Sequence, residues 1–183
     1  NEYFPSKETL ERVRDLHVLT CTTGYRISDR KRIGREHIEK GVIKMEATKN
    51  KRTTTVPLTP ISKAILEKYN YELPVISDQK FNDYVKALCF LAGMTELVEI
   101  PEYRGGSKIY KKYSKYELIT SHVGVATFIT HCGQKGISAK VVSEITGKSV
   151  KVILDHYYGT DQNFIESEMA RAFGSHNSIM KVS

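Results

Sequence analysis

Leu10, Val13, Leu16, His17 and Thr20 recur at helical spacing, which predicts a first helix. Ser6 can accept a first-turn amide at its start, and Gly24 marks its end. The pattern then changes period. Gly41–Ala47 and Thr53–Leu58 are β-favouring runs separated by Thr48-Lys49-Asn50-Lys51-Arg52, which predicts a hairpin with a basic tip. Thr59-Pro60 opens another helix with proline at its first position and Ile61, Ala64, Ile65 and Leu66 on one face. A further helix runs from about Asp78 through Phe81, Val85, Leu88 and Cys89 to Leu91. From Pro101 to Tyr116 there is no apolar stripe, and Gly105-Gly106 interrupts the segment; it reads as a surface loop or short irregular strands. Ser121 or Thr120 then caps a helix over His122–Cys132, Ser138–Ile145 forms another that Gly147 stops, and Ser149 starts one that ends near Tyr158. A last helix passes through Phe164, Met169 and Phe173. The fold class expected is mainly α with a small antiparallel β-sheet.

The 183 residues fit one domain with a sizeable core. Lys+Arg 28 against Asp+Glu 21 gives a net charge of +7, which points to an anionic partner. Its distribution sharpens that reading, because ten cations lie between Arg26 and Arg52, against four acids. A second group, Arg104, Lys108, Lys111, Lys112 and Lys115, is interleaved with Tyr103, Tyr110, Tyr113 and Tyr116; rings mixed with cations suit a DNA backbone. Cys21, Cys89 and Cys132 are odd in number and sit in apolar segments. They read as buried thiols of a cytoplasmic protein, not as a disulfide framework. No run matches a membrane span or a signal peptide, and the histidines lack metal-ligand spacing together with the cysteines, so a zinc site is not expected. The chain begins at Asn1 without Met and is expected to be part of a longer protein.

Four stretches carry the candidate chemistry. Thr23-Gly24-Tyr25-Arg26-Ile27-Ser28-Asp29 comes first, then the basic hairpin ending in Val56-Pro57-Leu58. Thr120-Ser121-His122-Val123-Gly124-Val125 follows, and last comes Thr146-Gly147-Lys148-Ser149 with Tyr157 nine residues after Lys148. In this order and spacing the chain resembles the catalytic domain of the tyrosine recombinase (phage integrase) family, most closely integrases of bacterial conjugative elements. The resemblance spans residues 4–173 and leaves 174–183 as a tail.

The resemblance implies a site-specific recombinase that cleaves and rejoins DNA through a 3′-phosphotyrosyl intermediate, integrating or excising a mobile element; because that bond conserves the energy of the broken phosphodiester, neither a metal nor another cofactor is expected. Arg26 would clamp the scissile phosphate, with Asp29 steadying it from behind. Lys49 would protonate the leaving 5′ oxygen, with Lys51 as its rival. His122 would assist proton transfer, and Tyr157 would be the nucleophile, with Tyr158 as the adjacent alternative. Two positions depart from the family. Val125 stands where an arginine is expected three residues after His122, and Lys148 stands where histidine or tryptophan is usual. Val125 motivates a second reading, a catalytically weakened DNA-binding paralogue or regulator. Arg30, Lys31, Lys51, Arg52, Lys108, Lys111 and Lys112 are the expected DNA contacts on double-stranded DNA. The family further implies an upstream core-binding domain and a tetramer on DNA. In that tetramer the helix from about Asn163 to Phe173 would dock on a neighbour through Phe164, Ile165, Met169 and Phe173, for which the spacing i, i+1, i+5 and i+9 leaves a place in the core as the alternative.

Overall fold

The computed structural model describes residues 4–48 and 51–158, and beyond them only 166, 169, 170 and 172–174. The chain divides into two compact units, residues 1–128 and 129–183.

In the first unit, α1 (Lys7–Thr23) starts where Ser6 Oγ accepts from Thr9 N at 3.2 Å. It stops where Gly24 turns left-handed at φ 73° and returns its amide to Thr20 O, a conformation that glycine adopts without a Cβ penalty. A single turn, α2 (Ile27–Arg30), follows at once. Strands β1 (Ile38–Glu39), β2 (Val42–Glu46) and β3 (Thr53–Pro57) form an antiparallel sheet in that order. Ile43 opposite Val56 and Met45 opposite Thr54 are buried, while Lys44 and Glu46 point outward. The expected hairpin is therefore present, with β1 added at its edge. Helix α3 (Pro60–Lys68) opens with reciprocal Thr59 and Ser62 bonds. Its buried face is Ser62, Ile65 and Leu66. Ile61, expected on that face, is 55% exposed. Helix α4 (Asp78–Leu91) lays Phe81 and Val85 against Val13 and Leu16 of α1, and Ile27, Leu73, Ile76, Tyr84, Cys89 and Ile119 close around them.

The tyrosine- and lysine-rich segment is more regular than its pattern suggested. Strands β4 (Leu97–Arg104) and β5 (Ser107–Ser114) pair in unbroken antiparallel register from Leu97 opposite Ser114 to Arg104 opposite Ser107. Gly105 and Gly106 both have positive φ, so the pair read as a loop marker is a two-residue hairpin turn. Helix α5 (Ser121–Gln134) begins in this unit, its first amide bonded to Asn82 Oδ1 at 2.8 Å.

In the second unit, α6 (Ala139–Thr146) is capped by Ser138 and ended by Gly147 at φ 64°. Helix α7 (Val150–His156) is capped by Ser149. Val142 and Ile153 are fully buried. The last expected helix falls mostly outside the described residues: Phe164 and Ile165 lie there, while Met169 and Phe173 are exposed. Of the three free cysteines, Cys132 is buried and Cys21 and Cys89 are half-buried; burial pushes all three thiols up. Among the described residues no helix is long and apolar enough to cross a membrane.

Candidate nucleic-acid interface and strand-cleavage residues

Arg26 is half-buried at the N-terminus of α2, with φ −66° and ψ 160°. Its carbonyl accepts from Asp29 N at 3.0 Å and Arg30 N at 2.8 Å, which closes the single turn. The side chains of that turn point in two directions and tie it down at both ends. Asp29, 3% exposed, accepts from Thr48 N at 2.7 Å and lies 3.7 Å from Arg32 Nη1. Its carboxylate thereby joins the turn carrying Arg26 to the residue before Lys49. The adjacent Tyr25 is buried, and its hydroxyl sits 3.1 Å from Thr54 Oγ1 on β3. Burial raises this phenol against a partial offset from Thr54. Lys49 itself lies outside the described residues. Its rival Lys51 is exposed, in left-handed backbone at φ 55°, and faces Glu46 at 3.8 Å.

Arg30 corrects the sequence reading. Expected among the DNA contacts, it is 2% exposed. Its Nη1 donates to Leu16 O and Thr20 Oγ1, both at 2.9 Å, and its guanidinium lies 4.5 Å over the Phe81 ring. The other expected contacts on the first unit are surface groups. Lys31 is held by Asp78 at 2.5 Å, and Arg52 is exposed. On the hairpin the register puts Tyr103, Lys108, Tyr110 and Lys112 on one face and Lys111 with Tyr113 on the other. Tyr103 and Tyr110 are 74% and 61% exposed, and Lys108 Nζ lies 5.2 Å over the Tyr110 ring. On the opposite face Lys111 Nζ lies 4.8 Å over the Tyr113 ring, so the basic segment pairs rings with cations on both faces, and Tyr103 and Tyr110 are the more exposed rings.

His122 is exposed in the first turn of α5. That end of a helix favours anions. Val125, one turn on, is 2% exposed and belongs to the packed interior. Gly124 beside it is a point of close approach, since a Cβ there would come within 2.8 Å of Thr20 Cγ2.

In the second unit the paired tyrosines have different surroundings. The Tyr158 hydroxyl donates to Ile137 O at 2.6 Å, and its ring lies so close to Gly133 that an added Cβ would meet it at 2.8 Å. Burial, with Cys132 adding to it, pushes this phenol up to about 12. Tyr157 ends α7 half-buried, with Lys148 Nζ 5.6 Å from its ring centroid. Lys148 is itself held by its backbone: Ser143 Oγ donates to its carbonyl at 2.6 Å, directly after the left-handed Gly147. The seat of Tyr158, made by Gly133 and Ile137, left no signal in the sequence pattern. Among the described residues no cluster of histidine, cysteine and carboxylate side chains could hold a metal.

By sequence the chain matches no family model and no curated protein. Its fold is matched by solved structures of recombinases and integrases. A variant of the Tn1549 transposon integrase in complex with a circular intermediate DNA superposes with TM-score 0.62 at 13% identity, over 92% of this chain and 61% of that one. The XerH site-specific recombinase bound to a palindromic difH substrate gives 0.61 at 16%, over 91% and 47%. The catalytic domain of bacteriophage HP1 integrase gives 0.54 at 20%, over 98% of both chains. The chain therefore spans about half to two thirds of the longer recombinases and essentially all of an isolated catalytic domain. The likeness is one of fold, that of a tyrosine-recombinase catalytic domain.

Proposed function

We propose that the chain is the catalytic portion of a tyrosine-type site-specific DNA recombinase, acting on double-stranded DNA and assembling with further copies of itself to exchange strands. The observation that carries this reading is the division of labour between the two adjacent tyrosines. Tyr158 has its hydroxyl committed to a backbone carbonyl and its phenol pushed up to about 12, so it is a packing residue. Tyr157 ends α7 half-buried, with the Lys148 ammonium 5.6 Å from its ring centroid, and serves as the nucleophile. The fold, shared with an integrase in complex with DNA and a recombinase bound to its substrate, supports the same reading.

In this mechanism the Tyr157 oxygen loses its proton and bonds to phosphorus. The 5′ oxygen leaves with a proton supplied by Lys49, and a 5′ hydroxyl reverses both steps on rejoining. Arg26 and Lys148 stabilise the charge on the nonbridging oxygens, and His122 assists proton transfer. Asp29 contributes by holding the Arg26 turn and the Thr48 amide together.

Val125 favours a second reading, a protein that binds DNA on this fold with weakened turnover, because a buried valine supplies no donor to a phosphate. A suicide duplex that traps the cleaved strand separates the two. Recombinase chemistry gives a covalent protein–DNA adduct that Tyr157→Phe removes. Binding without any adduct at saturating duplex selects the second reading.

A further inference from the structure

A fully buried arginine with no carboxylate on its guanidinium is expensive. Moving a charge from water to the interior carries a large desolvation cost, and apolar replacements of buried ions are often neutral or stabilising. Among the described residues no carboxylate lies within ion-pair distance of Arg30, which is such a residue. It is 2% exposed, its Nε is unpartnered, and Nη1 is spent on Leu16 O and Thr20 Oγ1. Leu16 O already accepts from Thr20 Oγ1 at 3.1 Å, so stability does not require a second donor there. Burial lowers the guanidinium to about 10 against the opposing effect of Asp78, which leaves it cationic at neutral pH. What the cation does mechanically is specific. Helix α2 is one turn long and lacks a side-chain cap, so little within it fixes its orientation. Its last residue, Arg30, hooks α1 at two atoms and stacks on Phe81 of α4, while its first flanking residue is Arg26.

We propose that Arg30 is a positioning residue for Arg26: the buried guanidinium locks the α2 turn onto α1 and α4 and so fixes the backbone from which Arg26 reaches a DNA phosphate. This rests on the phosphate-clamping role proposed for Arg26. Asp29, itself buried, secures the same turn to Thr48, so the turn is held at two points, and Arg30 supplies the hold on α1 and α4.

The test combines Arg30→Met with Arg26→Ala. Arg30→Met is expected to keep the melting temperature of the wild-type chain within a few degrees and to expose the Asp29 and Arg30 amides, which bond to Arg26 O, to faster hydrogen exchange. Adduct formation on a suicide duplex is expected to slow by about 10²-fold, the cost of a misplacement of roughly 1 Å. Arg30→Lys, which keeps the charge without the planar fork, recovers part of the rate. In the Arg26→Ala background, Arg30→Met is expected to add little further loss. Retained exchange protection, an unchanged adduct rate, or a full additional loss in the Arg26→Ala background overturns the proposal. Should the wild-type chain give no adduct, the recombinase reading fails, and hydrogen exchange alone decides whether Arg30 holds the turn. Should Arg30→Met not fold, Thr20→Val removes one of its acceptors at constant shape and is read by the same criteria.

Discussion

A tyrosine whose hydroxyl is pinned to a carbonyl and a neighbour whose ring faces an ammonium make opposite predictions for one conservative change. Tyr158→Phe deletes the bond to Ile137 O at 2.6 Å. It is expected to cost about 1 kcal/mol of stability, read as a lower melting temperature, with DNA cleavage preserved. Loss of cleavage with stability intact would reverse the assignment of the two tyrosines. Nine-residue spacing pointed to Tyr157 in the sequence. The packing that holds Tyr158 was not legible there, because it depends on Gly133 and Ile137, more than 20 residues away. Arg30 is the converse case. A cation inside a run of cations reads as surface charge, and only the packing of α1, α2 and α4 shows it buried.

Elements with two unlike faces were legible, and those with two similar faces were not. Helix α1, the β2–β3 hairpin, α4 and α6 bury one face, so their periods stand out. The β4–β5 hairpin exposes residues on both faces, so alternation had nothing to report, and α2 and β1 are shorter than any period. The hairpin now makes a directional prediction. Lys108→Ala with Lys112→Ala removes both lysines from the face that carries the exposed Tyr103 and Tyr110. It is expected to weaken binding to random duplex and lower the salt slope by up to about 2, which is more per lysine than Lys111→Ala on the opposite face. Equal losses per lysine for the two faces, read from affinity against salt, would remove the assigned polarity. At the crossing of α5 with α1, Gly124→Ala would press a Cβ against Thr20. A loss of about 1–3 kcal/mol is expected in denaturant unfolding, since Thr20 is buried and already bonded to Leu16 and Arg30.

For the whole molecule, stability should depend on pH through two sets of groups. His17 lies beside Arg30 with an unpartnered Nδ1, and burial, reinforced by that cation, lowers it to about 4. The unfolded chain takes up this proton near pH 6.5 and the folded chain does not. Stability is therefore full above that value and falls as pH drops towards 4. His17→Phe is expected to flatten this limb of a melting curve measured against pH; an unchanged limb would assign it elsewhere. Below it, a second limb belongs to Asp15. Burial opposes its ionisation, but bonds from Lys68, Arg14 and Tyr69 together outweigh that and lower it. This contribution is present above pH of about 4 and is lost on further acidification. The net charge of +7, at first only a sign of some anionic partner, now resolves into a surface hairpin face, exposed cations around the Arg26 turn, and one buried cation with a different task.

The central claim is that Tyr157 carries the DNA strand. Trapping the chain on a suicide duplex, digesting the adduct and locating the phosphotyrosyl linkage by mass spectrometry tests it directly. A single nucleotide-bearing peptide modified at Tyr157 is expected. A linkage at Tyr158, or no linkage at saturating duplex, would contradict it.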